Sequence, residues 1–211
     1  MANSNGAFGL RPIGVVGQAA NTTGVTEYRI AAGNTNAIYQ GSPVIPLSTG
    51  FIDIVGAAAG GTVGLLGVFW GCEYVSSTTG EKIYSNSWPG SGADTNHPVT
   101  AFVYDNPMQT FVICSDASLT NEATARGHVF ANANFATATS GSSTTGISSA
   151  KLGVSTIATT AALQLRIMGI QNDPDNADFA AAGIPVIVRL NNSFNSANGA
   201  IAAGTPSTTG V

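Results

Sequence analysis

The chain has 211 residues, enough for a single domain with a sizeable buried core. Only 9% of its residues are charged, against about 25% in an average soluble domain. With 26 Gly, 23 Thr, 19 Ser and 17 Asn, its surface has to be polar and neutral. A net charge of −4, with Arg11, Arg29, Lys82, Arg126, Lys151, Arg166 and Arg189 scattered singly, argues against a nucleic-acid partner, because no basic stripe is legible to meet phosphates. A neutral surface also gives up the charge repulsion that keeps free proteins apart, which suits a chain that lives inside an assembly.

The first residues lack both the basic and the apolar region of a secretory signal, so synthesis in a cytoplasm without general export is expected. No apolar run approaches the length of a membrane span, and no membrane partner is expected.

Residues 1–20 hold a small apolar island (Phe8, Leu10, Pro12, Ile13, Val15 and Val16) interrupted by Gly9, Gly14 and Gly17. Such a segment is too short of apolar surface to fold alone, so it reads as an extended N-terminal arm that lies on another surface. A β-rich body is expected over residues 21–195. Residues 25–31 alternate as a strand. Residues 44–47 and 51–55 form a hairpin across Ser48-Thr49-Gly50, with Pro43 and Pro46 pushing the first strand toward a sheet edge. The best hairpin signal joins residues 99–104 to 109–114 through Asp105-Asn106-Pro107.

Residues 132–162 are low in complexity and read, taken alone, as a mobile loop within the body, the alternative being that neighbouring subunits hold their small residues in place. Residues 163–167 and 184–190 alternate as strands. Short helices are expected over 118–126, stopped by Gly127, and from a cap at Asp175 to a stop at Gly183. Residues 196–211 read as a flexible tail. These elements predict an all-β fold: a compact barrel or sandwich of short antiparallel strands, with the arm and one or two short helices.

Chemistry is sparse. Cys72 and Cys114 sit in apolar runs and read as buried free thiols, although the sequence leaves a disulfide open. His97 and His128 lie in no ligand spacing, so no metal, no cofactor and no catalytic residue is expected. The acidic run at Asp173, Asp175 and Asp178 reads as a turn with a cap, although its oxygens also have the spacing to hold a hard cation such as calcium. Trp70 and Trp88 read as core or subunit-contact residues, the alternative being a platform for sugar.

Several ordered strings resemble one family. Asn5-Gly6-Ala7-Phe8-Gly9-Leu10-Arg11-Pro12 is similar to the apolar arm that opens the capsid decoration (cement) proteins of tailed bacteriophages. Tyr28-Arg29-Ile30-Ala31 and Ile38-Tyr39-Gln40-Gly41-Ser42-Pro43-Val44 resemble that family's first hairpin, where the turn commonly reads Gly-Asp-Pro-Val and Ser42 departs from it. Gly67-Val68-Phe69-Trp70-Gly71-Cys72-Glu73-Tyr74, Ser87-Trp88-Pro89-Gly90, Ser143-Thr144-Thr145-Gly146-Ile147-Ser148 and Leu165-Arg166-Ile167-Met168-Gly169-Ile170 also resemble family strings. So do Asp173-Pro174-Asp175-Asn176 and Val186-Ile187-Val188-Arg189-Leu190-Asn191-Asn192.

The resemblance implies a structural virion protein without enzymatic activity, on the outer surface of a phage head. Its partners would be the major capsid protein and itself, as a homotrimer that stabilises contacts between capsomers. Phe8, Leu10, Arg11, Pro12 and Ile13 are the expected arm contacts with the shell or a sister subunit, with Trp70 and Trp88 as further candidates. Removal of residues 2–16 is then expected to abolish head binding and leave the body folded. The alternative is a β-rich adhesin or tail-associated carbohydrate-binding module, in which Trp70 or Trp88 meets sugar. A hydrolase using Cys72 or Cys114 with a histidine is a third reading.

Overall fold

A computed structural model describes residues 3–4, 6–17, 24–56 and 64–196. The expected tail, apart from Ser196, lies outside the described residues. In chain order the strands are β1 (Arg11–Val15), β2 (Thr26–Ile30), β3 (Ile38–Tyr39), β4 (Pro43–Pro46), β5 (Ile52–Ile54), β6 (Gly67–Val75) and β7 (Lys82–Ser85). Then follow β8 (Ser87–Trp88), β9 (Val99–Tyr104), β10 (Gln109–Cys114), the helix α1 (Glu122–Gly127), β11 (Asn132–Ala133), β12 (Leu165–Ile170) and β13 (Pro185–Leu190).

Two antiparallel sheets carry the fold. One has five strands in the order β1-β10-β13-β12-β11; the other has the order β2-β9-β6-β4-β5, with β7 paired to the far half of β6. The β3-β8 ribbon stands apart from both. The alternation of side chains along each strand decides what each face buries. On the five-stranded sheet, Phe111, Ile113, Leu165, Ile167, Val186 and Val188 point inward and meet Ile45, Leu65 and Val68 of the other sheet. The six-stranded sheet turns Val44, Phe69, Val99, Ala101 and Val103 the opposite way, onto Ile38 and Trp88 of the ribbon. The molecule is therefore an all-β sandwich with a second core under a small flap.

Most of the expected strands form, but two sit differently. Residues 99–104 and 109–114 are strands, yet they do not pair with each other: β9 lies in one sheet and β10 in the other. The connection is an arch between packed sheets rather than a hairpin within one. Asp105 explains the anchoring, because its carboxylate accepts from Thr26 Oγ1 at 2.9 Å and from Tyr28 Oη at 2.8 Å, both on β2. Asn106 shapes the corner, accepting from the Met108 amide at 2.8 Å. The second correction is β4, which lies between β5 and β6, so Pro43 and Pro46 do not mark an edge. The prolines are tolerated because the ladder to β6 is only two residues long, Pro43↔Val68 and Val44↔Gly67.

Residues 132–162 are held by the rest of the chain. Leu152 and Ala150 are 0% exposed, and the Leu152 amide donates to the Cys114 carbonyl at 2.9 Å. Further along, the Ser148 amide donates to Gln40 O and the Gln40 amide to Gly146 O, each at 2.9 Å. Small residues here allow a close fit against neighbouring strands. Helix α1 is capped by Asn121, whose side chain accepts from the Thr124 amide. The second expected helix is only a 3₁₀ turn, Pro174–Asn176, and its cap is Asp173 rather than Asp175. With Pro174 at the first position, the turn is set one residue pair earlier than the acidic spacing suggests.

Candidate docking face

The N-terminal segment builds one half of the outer face of the five-stranded sheet. Asn3 anchors its start: its amide donates to Asp178 O at 3.0 Å and to Ala182 O at 2.8 Å, and its carbonyl oxygen accepts from the Asp178 amide at 3.0 Å. The strap then crosses β10, where Phe8 packs on Val112 and Cys114 with Ile147 and Ile187 at its flanks. At Gly9 the backbone turns with φ +67, and a Cβ there would sit 2.7 Å from the Gly41 carbonyl oxygen. Only glycine fits. Leu10 then inserts into the sandwich core at 0% exposure, and its amide donates to Gly41 O at 2.9 Å. Residues 11–15 anneal to β10 as the edge strand β1.

The described residues of the expected arm, 3–4 and 6–17, lie on the chain's own body, and the site residues divide accordingly. Leu10 and Trp88 are completely buried and Phe8 is 9% exposed, so these three fill the chain's own cores and present nothing to a partner in this conformation. Removing residues 2–16 would take a core leucine and an edge strand with it, so that truncation does not leave the body intact. Trp70 is half-buried, its ring edge-on to Tyr104 with centroids 5.4 Å apart. Trp88 meets Tyr74 edge-on, and its indole N–H donates to Asn34 O at 3.3 Å. A tryptophan so enclosed offers no face to a sugar.

What remains outward is Arg11 and Ile13, with Pro12, opposite Phe111, at the edge between them. The Arg11 guanidinium lies 4.3 Å from the centroid of the Phe8 ring, a cation–π contact that holds it on the surface. Pro12 is half-buried and removes one donor from the free edge of β1. A bulge between Pro12 and Gly14 turns Ile13 outward, leaving it 52% exposed. Among the described residues no strand pairs with the other edge of β1.

The other half of the face comes from residues that the one-dimensional pattern does not single out. One register row crosses all five strands: Gly14↔Thr110↔Arg189↔Arg166↔Asn132. It sets two of the chain's seven basic residues directly opposite each other. Arg166 Nε donates to Asn132 Oδ1 at 3.1 Å, while Arg189 Nη1 reaches only the Met108 sulfur at 3.6 Å. Arg189 Nε is buried with no hydrogen-bond partner among the described residues. Burial first, and the Arg166 charge second, pull the Arg189 pKa below its ordinary value. Among the described residues the ion pairs are Lys82–Glu73, His97–Asp94 and Arg126–Glu122, so neither arginine of the row meets a carboxylate. Sequence reasoning expected no clustering of positive charge; folding brings Arg11, Arg166 and Arg189 to one face. The signal was present as a lone arginine inside each of two alternating strands, Leu165-Arg166-Ile167 and Val188-Arg189-Leu190.

Comparison of the chain with family models, curated proteins and solved structures found no match.

The remaining chemical candidates are separate. Cys72 and Cys114 are buried free thiols, and burial pushes their pKa values up to about 12 and about 11. Nucleophilic thiols need the opposite shift. His97 is paired to Asp94 at 2.8 Å and His128 caps α1, while the thiols of Cys72 and Cys114 donate to the carbonyls of Ser87 and Gly6. In the acidic run, Asp173 accepts from the Asp175 amide and from Asn176 Nδ2 at 2.8 Å, and Asp178 from the Ala180 amide at 3.1 Å. Their oxygens are directed into local turns, and among the described residues no group of three His, Cys, Asp or Glu side chains could hold a metal ion. A groove of about 520 Å³ beside α1 is lined by Glu122, Arg126, Met168, Asp173 and Phe179; Glu122 is paired to Arg126, and Asp173 accepts from the Asp175 amide and Asn176.

Proposed function

We propose that the chain is a structural protein of the virion, a capsid decoration (cement) protein. It would bind the outer surface of a tailed-phage head as a homotrimer and stabilise contacts between capsomers of the major capsid protein. The observation that carries this reading is the N-terminal segment. The string Gly6-Ala7-Phe8-Gly9-Leu10-Arg11-Pro12, which resembles the opening of such proteins, is the one the fold stretches over the outer face of a sheet. It ends in an edge strand that has no second neighbour among the described residues and that shows Ile13 and Arg11. A charge-poor surface and a sandwich whose side chains are spent on packing are what a clamp requires.

The physical mechanism is linkage. Packed DNA presses a head outward, and contacts between capsomers yield first. A protein that binds only the assembled lattice stabilises that state by mass action. Three copies joined together make individually weak contacts strong, because the second and third engage at high effective concentration.

The test uses heads of the phage that encodes the chain, prepared without it. Purified chain is mixed with expanded heads and with unexpanded precursor shells, and both are pelleted. Saturable pelleting with expanded heads alone is the expected result. A chain that stays in the supernatant with both overturns the proposal.

A further inference from the structure

The row Arg189↔Arg166 is an anomaly that the fold alone does not explain. Like charges directly opposite on neighbouring strands are unfavourable, because side chains at such a pair lie roughly 5 Å apart at Cβ. Chains this short of charge have little need to place two arginines together, yet here both lie within strands, opposite each other on the same face. Among the described residues neither has a carboxylate partner, and one buried donor, Arg189 Nε, has no hydrogen-bond partner.

We infer that Arg166 and Arg189 form a clamp for a carboxylate side chain carried by another protein. Two planar guanidinium forks side by side match one carboxylate, each donating two parallel N–H groups to its oxygens. Drawing the Arg189 head outward would also let its orphaned Nε donate. Charge complementarity and the setting select a protein carboxylate over a nucleic-acid phosphate. Beyond Arg189 the row runs to neutral Thr110 and Gly14, with Met108 against Arg189 and the exposed Ile13 next to Gly14, an apolar flank suited to a protein surface; beyond Arg166 it ends at neutral Asn132. A phosphate backbone calls for a stripe of positive charge, whereas the chain as a whole is net negative. The inference rests on the docking reading above only in taking the head as one test surface.

The experiment has two arms. In the first, purified chain is melted at low salt with a hexaglutamate peptide, a hexaglutamine peptide, or inorganic phosphate at matched ionic strength. The clamp predicts that hexaglutamate alone raises the melting temperature, and that Arg166→Gln and Arg189→Gln abolish the rise. Arg189→Lys, which keeps charge and bulk but loses the fork, should lose most of it. A rise that persists in all three variants, an equal rise with phosphate, or no rise in the wild-type chain overturns the clamp.

The second arm repeats the pelleting on expanded heads with Arg166→Glu and Arg189→Glu. Folding of each is first checked by circular dichroism. A weakening of about tenfold or more is expected for the loss of one charge-assisted pair. Unchanged pelleting overturns the clamp and leaves the capsid reading standing. Wild-type chain that does not pellet at all overturns the capsid reading, and the peptide arm then decides the clamp alone.

Discussion

Leu10 and Gly41 are joined by a hydrogen bond of 2.9 Å, from the amide of the first to the carbonyl of the second, at the point where the N-terminal strap enters the core. Gly9 and Gly41 both have positive φ there, +67 and +88, so the two backbones cross without side chains between them. The crossing ties the outer layer of the five-stranded sheet to the turn between β3 and β4. The strap is therefore part of what keeps the sandwich closed.

Leu10→Ala should destabilise the chain by about 2–5 kcal/mol, the range for emptying a fully buried leucine site. Gly9→Ala should also be strongly destabilising, because a Cβ at that point meets Gly41 O at 2.7 Å and positive φ disfavours any other residue. Urea unfolding followed by tryptophan fluorescence measures both. A loss under about 0.5 kcal/mol for Leu10→Ala, the level of ordinary surface changes, would mean that the strap is not packed as described.

The arch between β9 and β10 depends on Asp105. Asp105→Ala leaves the Thr26 and Tyr28 hydroxyls without their acceptor. The expected cost is about 1–3 kcal/mol, the range for a charge-assisted bond at a half-buried site. Tyr28, whose pKa is raised to about 12 by burial first and by Asp105 second, should titrate closer to its ordinary 10.0 in that variant. Ultraviolet titration of tyrosinate reads the change.

The buried thiols set an alkaline limit. Folded pKa values of about 12 for Cys72 and about 11 for Cys114 lie above the ordinary 9.0, so between those values the unfolded chain has released protons that the folded chain still holds. Stability then falls as pH rises, beginning near pH 9 and continuing to about 11 for Cys114 and about 12 for Cys72. Each thiol contributes a slope of about 1.4 kcal/mol per pH unit inside its window. Tyr28 adds a slope of the same sign above pH 10. Urea midpoints measured from pH 8 to 11 should decline, and Cys72→Ala should flatten the decline. Iodoacetamide should leave both thiols unmodified in the native chain and label them in urea.

Ile13→Asp separates folding from docking. Ile13 is 52% exposed on a bulge, so the substitution should change stability by less than about 0.5 kcal/mol. Under the proposed function it should nonetheless weaken pelleting with expanded heads severalfold or more, since it puts a charge into an apolar contact. Full binding by this variant would remove β1 from the docking surface.

Strand positions were legible wherever side chains alternate, as in residues 109–114 and 184–190, because a period of two leaves little choice of face. What the alternation does not carry is the partner of each strand. Residues 99–104 and 109–114 satisfy every local requirement of a hairpin, and only their ladders, β9 with β2 and β6 but β10 with β1 and β13, show that the chain crosses to the other sheet. The arginine row was hidden for the same reason. Arg166 and Arg189 stand 23 positions apart, and register alone brings them together. Phe8 and Leu10 were legible as an apolar island, but whether that island lies on a partner or on its own chain depended on Gly41 and Val112, which nothing near residue 10 announces. The low-complexity segment misled in the opposite way, since its small residues fit closely against β10 and β12 rather than remaining loose.

The proposed role, clamping an assembled protein shell, is tested most directly by cryo-electron microscopy of the virions to which the chain would belong, compared with virions from which it has been deleted. The account predicts density on the outer surface at capsomer junctions, fitted by the two-sheet sandwich with β1 and the Arg166–Arg189 row turned toward a neighbouring protein, and absent from the deletion particles. Identical outer surfaces in the two preparations would contradict it.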